Sequence, residues 1–138
     1  MKAENYRTAL EMIELGDAIQ WRPLAGFPGL DMVPLRDDLD EANGRGARTR
    51  LVRFAPGAET TARLVHPYWE EVLVMSGDLS NKDTPQGTDA SQGRQTAPRY
   101  SLRPPGTPHG PFASRGGCVL FEVQYFLAES WSRHDQGN

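Results

Sequence analysis

The stretch LVHPYWEEVLVMSG at Leu64–Gly77 decides the fold, and the stretch PPGTPH at Pro104–His109 completes it downstream. The first stretch is rich in β-branched and aromatic residues, which favour strands, and it carries a histidine and a pair of carboxylates. The second places another histidine directly after a turn of proline and glycine. A long polar connection separates the two stretches. We therefore predict that they form the two halves of one metal pocket inside a small β-barrel.

The length and composition of the chain predict a single all-β domain. A chain of 138 residues fits one domain, and a domain of this size buries about two-thirds of the surface that its unfolded chain exposes. The 14 glycines and 11 prolines favour many short strands joined by turns over long helices. We expect one domain over 1–138, with a barrel core at about 17–128 and a polar tail over 129–138.

The charge balance argues against partners that carry many negative charges. The chain has 15 basic and 18 acidic residues and a formal charge of −3, so it has no general attraction for nucleic acid or for a membrane surface. Arg48 and Arg50 belong to a basic cluster, but their spacing around Leu51 and Phe54 favours solvated positions on one strand. The expected partner is a small molecule.

Cysteine usage and hydropathy predict a cytoplasmic location. The single cysteine, Cys118, excludes an internal disulfide and suits a reducing compartment. Its apolar neighbours predict a buried thiol. No apolar run approaches the roughly 20 residues of a membrane-spanning helix, and the first residues lack the apolar core of a signal peptide.

The order of patterns along the chain predicts strands joined by turns, with one helical candidate. Apolar residues at helical spacing over 5–15 indicate a short amphipathic helix, which is marginal at that length. We expect Ser76-Gly77-Asp78 to form a turn, and the polar connection over 80–97 to be mobile rather than a defined lid. Strand patterns lie at 18–23, 30–35, 48–55, 59–66, 71–75, 99–103 and 118–127, with a hairpin connection at 37–47. The first two contain proline, which favours edge positions, and the last predicts a fully buried strand.

His66, Glu70 and His109 are the candidate metal ligands. Borderline divalent metals accept imidazole nitrogens and carboxylate oxygens, and a rigid backbone lets these groups converge without rearrangement. Two histidines with one carboxylate form the set that supports non-haem Fe(II), with open positions on one side of the ion. Spacing alone leaves another interpretation open, because a lone histidine on an apolar strand is more often a core residue and Glu70 also fits an ordinary surface carboxylate beside Glu71.

The two motif segments resemble the conserved motifs of the cupin superfamily, and the sequence is similar in character to the ChrR-type cupins. In the first family motif a glycine precedes His-x-His, a glutamate follows four residues after the second histidine, and a glycine lies seven residues beyond it. His66, Glu70 and Gly77 keep that spacing, and Pro104–His109 keeps the second motif, Pro-x-Gly-x-x-His. The resemblance covers roughly half of the chain. It implies a jelly-roll β-barrel.

The chain departs from the family pattern at three positions. Leu64 stands where the family has the first histidine of His-x-His, Gly57 lies one residue too far away to be the preceding glycine, and Pro98 replaces the glycine ahead of the second motif. The ligand set is thereby reduced to three residues. Either the pocket became a three-ligand facial site or it lost its metal, and we favour a retained metal because all three remaining ligands are kept.

The resemblance implies a metal-dependent enzyme. Similar small cupins include dioxygenases that cleave carbon–carbon bonds in diketones and hydroxylated aromatic ketones, so the expected cofactor is a divalent transition metal, with iron first and zinc, nickel or manganese as alternatives. In that reaction Glu71 or Tyr68 is a candidate proton acceptor. The candidate pocket walls are Leu64, Trp69, Phe112, Phe121 and Tyr125. Most aromatic residues of a small barrel simply fill it, so core packing is the alternative for each of them.

Two other classes of function stay open. ChrR-like anti-sigma factors use a zinc-holding cupin domain as a non-catalytic module, and other cupins are metal-dependent isomerases or lyases. The fold does not select among these chemistries. The expected assembly is a twofold homodimer, which is common for such barrels and would protect the N-terminal edge strands.

Overall fold

The computed structural model describes residues 9–14, 21–83 and 95–128. These residues form one antiparallel sheet that wraps around an internal cavity, and none of them is helical. The strands, in chain order, are β1 (Arg22–Pro23), β2 (Leu30–Asp37), β3 (Ala47–Phe54), β4 (Trp69–Asn81), β5 (Gln95–Thr96), β6 (Arg99–Arg103), β7 (Phe112–Ala113) and β8 (Cys118–Tyr125). The predicted all-β class is confirmed.

Strand β4 organises the sheet. Along one side it pairs with β8, from Trp69 opposite Tyr125 to Gly77 opposite Cys118. Along its other side it pairs with β6 and, further along the chain, with β5, and its last residues, Ser80 and Asn81, pair with β7. From β8 the sheet continues through β3 and β2 to β1 at the edge. Because strand side chains alternate between the two faces, every second residue of β4 faces the cavity together with its partners on β8 and β6.

The interior of the barrel is polar at one end and apolar at the other. The inward residues of β3, in chain order, are Arg48, Arg50, Val52 and Phe54, and their partners on β8 are Gln124, Glu122, Leu120 and Cys118. The two apolar rows join Leu30, Val72 and Val74 in the core. Cys118 is buried there, as predicted. The other two rows, Arg48 with Gln124 and Arg50 with Glu122, place polar side chains in the interior.

Arg48 and Arg50 are not the solvated positions that the sequence predicted. Both line the cavity, because they share the face of Phe54 and not that of Leu51. Leu51 is itself only 3% exposed, although it points to the opposite face. Both faces of β3 are therefore covered, and on such a strand the apolar pattern does not indicate which face is interior.

Strand β4 is longer than predicted, because Ser76-Gly77-Asp78 does not turn the chain. The strand continues through these residues after an irregularity in register between Val74 and Ser76. Gly77 has a φ of +80°, and a Cβ atom at this position would collide with the carbonyl oxygen of Gly117. Glycine is required here both by the left-handed backbone and by the close approach of the neighbouring chain.

The strand predicted over 59–66 is wrong. Only Glu59 and Leu64 pair within it, each through an isolated bridge, with Ala113 and His109 respectively. The prediction that 118–127 is fully buried is also wrong, since β8 ends at Tyr125 and its residues alternate between buried and half-buried. The strands predicted at 30–35, 48–55 and 99–103 are confirmed within a few residues, as is the hairpin connection, which the Asp40–Arg45 bridge closes.

Some sequence predictions concern residues outside the described part of the chain. Residues 9–14 are not helical, and the remainder of the helical candidate lies outside the described residues. So do 18–20 of the first predicted strand, 84–94 of the polar connection and the tail over 129–138. Within the described ranges, the structure has no helix with the length and apolar character needed to cross a membrane.

Candidate metal centre

His66, Glu70 and His109 converge inside the barrel. Each offers one ligand atom, and the three atoms all lie within 4.8 Å of one another. His66 precedes β4, Glu70 lies near the start of that strand, and His109 belongs to the connection between β6 and β7. Glu70 and His109 are buried, and His66 is half-buried. The structure therefore brings together the three side chains that the sequence indicated.

Backbone hydrogen bonds hold the two motif segments side by side. The Leu64 N–H donates to the carbonyl oxygen of His109 at 2.7 Å, and the His109 N–H donates back to that of Leu64 at 2.9 Å. The Gly106 N–H donates to the carbonyl oxygen of His66, also at 2.9 Å. Position 64 contributes to this arrangement through its backbone alone. The scaffold of the centre is therefore kept although leucine replaces the family's histidine.

A hydrogen bond to the backbone fixes the tautomer of His109. Its Nδ1 lies 3.0 Å from the carbonyl oxygen of Thr107. A carbonyl oxygen can only accept, so Nδ1 must carry the proton and the neutral ring keeps its lone pair on Nε2. Nε2 is also the nitrogen that faces Glu70, 3.5 Å from Oε1. His109 thus presents a free lone pair to the centre, as a histidine ligand must.

Two hydrogen-bond donors hold the carboxylate of Glu70. Arg103 donates from a terminal guanidinium nitrogen to Oε1 at 2.8 Å, and Gln124 donates from Nε2 to Oε2 at 2.6 Å. An ionised carboxylate has about four lone-pair sites, so each oxygen can still accept a further partner. Carboxylate ligands in metal sites are usually oriented by such outer hydrogen bonds. The Arg103 guanidinium also offsets part of the negative charge that a cation would meet.

These contacts belong to a row of four side chains that crosses four strands, which we call the polar row: Arg48, Gln124, Glu70 and Arg103. The pairing register places each next to the one that follows it. Arg48 donates from Nε to the Oε1 of Gln124 at 2.6 Å, while the amide nitrogen of Gln124 serves Glu70. Since arginine can only donate and a carboxylate can only accept, the amide orientation of Gln124 is determined from both sides.

His66 and Tyr68 stack on each other beside the centre. Their ring centroids are 4.7 Å apart with an interplanar angle of 11°. Burial lowers the pKa of His66 below its ordinary value, although the Glu70 carboxylate opposes the shift. Burial also raises the pKa of Tyr68 to about 12. His66 is therefore neutral near physiological pH, as a ligand requires, and Tyr68 keeps its proton there, while its hydroxyl accepts a hydrogen bond from Arg48.

The next row contains a second buried acid. Arg50 donates from Nε to the Oε2 of Glu122 at 2.8 Å, and both side chains are nearly withdrawn from solvent. Burial raises the pKa of Glu122, and the neighbouring Arg50 opposes that shift without cancelling it. Glu122 is thus a carboxyl group inside the cavity that takes up a proton more readily than an ordinary glutamate.

The cavity in front of the centre has about 250 Å³ of space. Its polar end contains the three candidate ligands together with Tyr68, Arg48, Arg50, Arg103 and Glu122. Its apolar end is lined by Leu24, Phe27, Leu30, Val52, Phe54 and Leu120. Small-molecule sites typically combine such an apolar wall with a few convergent polar groups. The volume corresponds to about eight water molecules at their liquid packing, so only a small ligand fits.

The structure places the predicted pocket walls in two groups. Leu64 and Phe112 line the cavity, as predicted, and Tyr68 does so as well. Trp69, Phe121 and Tyr125 do not line it, because their positions on β4 and β8 put them on the outer face. There Trp69 stacks on Tyr125, with ring centroids 6.5 Å apart.

Glu71 also lies outside the cavity, which corrects its candidacy as a proton acceptor. It follows Glu70 on β4, so its side chain points to the opposite face, where it accepts a hydrogen bond from the hydroxyl of Tyr100.

Sequence reasoning missed the polar residues that surround the ligands, namely Arg48, Arg50, Arg103, Glu122 and Gln124. A signal for two of them lies in β8, where Cys118 and Leu120 have the same parity as Glu122 and Gln124. Two polar residues that continue the buried parity of an otherwise apolar strand indicate a polar end of the interior. The signal for Arg103 was weaker, since only its place directly before the second motif pointed to the site.

The sequence profile of the ChrR cupin-like domain matches residues 11–134. The chain belongs to this cupin family. No curated protein sequence matches it. Its fold is the antiparallel barrel that RmlC-like cupins share, as the comparison with solved structures also indicates. Against an RmlC-like cupin from Shewanella frigidimarina the TM-score is 0.59 at 19% identity, over 88% of this chain and 96% of the other.

Two further solved structures have the same fold. An acetylacetone dioxygenase from Acinetobacter johnsonii matches this cupin with a TM-score of 0.61 at 16% identity, over 89% of this chain and 81% of the other. A chain of the complex of Rhodobacter sphaeroides SigE with the anti-sigma ChrR matches it with a TM-score of 0.55 at 21% identity, over 78% of this chain and 50% of the other. The cupin thus spans half the length of that last chain. At these identities the likeness concerns the fold alone.

Proposed function

We propose that this cupin is a metal-dependent non-haem dioxygenase that acts on a small ketone or diketone-like substrate. The observation that carries the proposal is the convergence of His66, Glu70 and His109, whose ligand atoms lie within 4.8 Å of one another at the wall of the cavity. Two imidazoles and one carboxylate form the ligand set typical of non-haem Fe(II) oxygenases. The likeness in fold to an acetylacetone dioxygenase agrees with this choice.

The residues present fit a divalent transition metal. His109 already has the tautomer that leaves Nε2 available, and the lowered pKa of His66 favours its neutral form. Glu70 is oriented by two donors and keeps lone pairs for a further partner. His66, Glu70 and His109 would hold the ion. When bound, a metal of this kind supplies Lewis-acid polarisation of a substrate oxygen and redox chemistry toward dioxygen.

The other residues of the cavity would bind and orient the substrate. The apolar end accommodates its hydrocarbon part and excludes water, which strengthens the electrostatic interactions at the polar end. Tyr68, with its high pKa, donates a hydrogen bond to a substrate oxygen near His66. Glu122 is the candidate proton donor or acceptor of the cavity, because burial raises its pKa. Arg103 and Gln124 keep the Glu70 carboxylate in place.

A non-catalytic module that binds a metal or a ligand is the second candidate. Two observations favour it: the family is named for the ChrR cupin-like domain, and Leu64 removes one of the family's ligands. A three-residue set with an arginine on its carboxylate is also compatible with a binding site that performs no chemistry. The two candidates differ in one measurable property, which is oxygen consumption in the presence of substrate.

A matched pair of variants tests the proposal, because neighbouring glutamates on β4 point to opposite faces. Purified wild type, Glu70→Gln, His109→Ala and the control Glu71→Gln are loaded anaerobically with Fe(II), and bound metal is measured by elemental analysis. We expect stoichiometric iron in wild type and Glu71→Gln, and little in the other two. Oxygen consumption is then followed with a panel of β-diketones, hydroxyacetophenones and small oxoacids, and it should require Glu70 and His109.

The outcomes separate the candidates. Protein that takes up no transition metal contradicts the proposed enzyme. Bound metal together with a ligand that raises the Tm, but without oxygen uptake, favours the module. Oxygen uptake that survives Glu70→Gln would place the chemistry elsewhere.

Assembly and location remain proposals based on the sequence. We propose a homodimer in the cytoplasm, and light scattering of the purified protein at two concentrations measures the mass. A monomer at micromolar concentration contradicts the assembly.

A further inference from the structure

The cations of the cavity outnumber its acids. Three arginines line it, Arg48, Arg50 and Arg103, against two glutamates, Glu70 and Glu122. Arg103 pairs with Glu70 and Arg50 pairs with Glu122, each at 2.8 Å. Arg48 is left over. Within the described residues, no carboxylate forms an ion pair with it.

The partners of Arg48 are neutral. Its Nε donates to the side-chain oxygen of Gln124 at 2.6 Å, and one terminal nitrogen lies 3.4 Å from the hydroxyl of Tyr68. The Tyr68 ring lies to one side, with its centroid 6.0 Å from the central carbon of the guanidinium. Arginine has five N–H donors in a planar fork, so these contacts leave most of its donors available. Arg48 thus directs a positive charge and unused donors into the cavity.

A half-buried cation without a directly paired carboxylate is unfavourable, because it has lost part of its hydration and forms no ion pair in return. An anion that enters the cavity removes this penalty. A carboxylate suits the position best, since its two oxygens match the fork of a guanidinium. The apolar end of the same cavity then receives the rest of the ligand. The 250 Å³ of space limits that remainder to a short chain or a small ring.

The position of Arg48 relates this anion site to the metal centre. Arg48 contacts Tyr68, Tyr68 stacks on His66, and His66 lies beside His109 with ring centroids 4.7 Å apart. A carboxylate on Arg48 therefore leaves a neighbouring carbon of the same ligand close to the candidate ligands. A carbonyl oxygen on that part of the ligand would face His66, Glu70 and His109.

We infer that the substrate of this cupin is a small oxoacid, with its carboxylate on Arg48, its keto or enol oxygen at the metal centre and its hydrocarbon part against the apolar wall. The inference rests on the proposed function for the role of the centre. The part of the inference that concerns anion binding rests only on the charges of the cavity. It distinguishes this chain from an enzyme that takes neutral diketones, because such a substrate gives Arg48 no counter-charge.

Two compounds of equal size test the inference. In 3-oxohexanoate a carboxylate oxygen replaces the terminal methyl group of heptane-2,4-dione, and the two molecules are otherwise alike. Binding of each is measured by calorimetry under nitrogen, first with chelator-treated, metal-free protein and then with Fe(II)-loaded protein. In the metal-free protein we expect wild type to bind the oxoacid about tenfold to a hundredfold more tightly than the diketone, the range for a charge-assisted hydrogen-bonded pair.

Variants on one strand identify the residue responsible. Arg48→Met should abolish the preference for the oxoacid, whereas Arg48→Lys should keep part of it because the charge remains. Arg53→Met is the matched control: Arg53 lies on the outer face of β3, where it pairs with Asp31 and covers the ring of Trp21. This control should leave the ratio of the two affinities unchanged. The ratio is informative even if a variant loses overall stability, because the affinities for both compounds then fall by the same factor.

Failure of this inference and failure of the proposed function give different results. Equal affinities of wild type for the two compounds, or a ratio that Arg53→Met changes as much as Arg48→Met, overturns the inference. Absence of iron uptake overturns the proposed function and leaves the metal-free comparison intact. A wild-type preference for the oxoacid that disappears in Arg48→Met supports the inference whether or not oxygen is consumed.

Discussion

At the scale of single residues, position 64 separates the two roles that a motif residue can have. The backbone of Leu64 exchanges two hydrogen bonds with His109 and so positions a ligand from the other motif. Its side chain lines the cavity, where the family pattern has an imidazole. Loss of the side-chain role has left the backbone role intact, because the peptide groups do not depend on the identity of the residue.

Restoring the missing imidazole should strengthen metal binding. In Leu64→His a fourth ligand becomes available from a backbone position that is already fixed, and we expect an affinity for Zn²⁺ or Fe(II) at least about tenfold higher. Competition with a chromophoric chelator under nitrogen measures the change. Leu64→Ala serves as the control, since it alters the cavity without adding a ligand. Equal affinities of wild type and Leu64→His would mean that the side chain at 64 does not reach the centre.

At the scale of secondary-structure elements, β4 holds the site together by running unbroken through a place where the sequence predicted a turn. Gly77 permits this continuation, and its motif position has a steric explanation in the nearby Gly117 carbonyl. The resemblance to the two cupin motifs was needed to predict His66, Glu70 and His109, because spacing alone also fitted a core histidine and a surface carboxylate. The inward direction of Arg48 and Arg50 was not predictable in this way. Their strand is covered on both faces, so neither parity was marked as solvent-facing.

Two glycines with similar backbone conformations but different surroundings test the steric explanation for Gly77. Gly57 and Gly77 have φ values of +83° and +80°, but a Cβ at Gly57 would meet nothing within 4 Å. Gly57→Ala should therefore lower the free energy of unfolding by about 1–2 kcal/mol, from backbone strain alone. Gly77→Ala should lower it by roughly 2 kcal/mol more, because the chain must also move apart. Urea unfolding measures both, and similar losses in the two variants would refute the steric part.

The side-chain amide of Gln124 on β8 supports the metal centre, because it hydrogen-bonds to residues on both β3 and β4. Gln124→Leu keeps the approximate volume but removes the donor to Glu70 and the acceptor for Arg48. Metal affinity should fall about 10- to 100-fold, as for other outer hydrogen bonds of metal ligands. Gln95→Leu, on exposed β5, is the control and should leave the affinity unchanged. An unchanged affinity in Gln124→Leu would show that Arg103 alone orients the carboxylate.

At the scale of the whole molecule, the barrel keeps two acids and three arginines inside a cavity that is apolar at its other end. Burial shifts the pKa of such groups away from their values in the unfolded chain, and the free energy of unfolding depends on pH wherever the two values differ. Glu122 is the clearest case, as its pKa is raised by burial against the opposing charge of Arg50.

Glu122 should make the free energy of unfolding depend on pH. Its pKa is higher in the folded than in the unfolded chain, so the folded state binds more protons in the window between those values, above the ordinary carboxyl pKa. Stability from this group is therefore lost as pH rises through that window, by at most about 1.4 kcal/mol per pH unit. Glu122→Gln cannot titrate, and its stability relative to wild type should increase from pH 5 to pH 8 in urea unfolding. A constant difference between the two proteins would contradict the raised pKa.

The polar row has a consequence for how sequences of this family diverge. When the nitrogen of Gln124 faces Glu70, its buried oxygen needs a donor, which Arg48 supplies, so the residue at 124 restricts the choice of residue at 48. Relatives that keep glutamine at the site of Gln124 should retain arginine at 48, and those that lose the arginine should replace both together. An alignment in which the two sites vary independently of each other would contradict this coupling between β3 and β8.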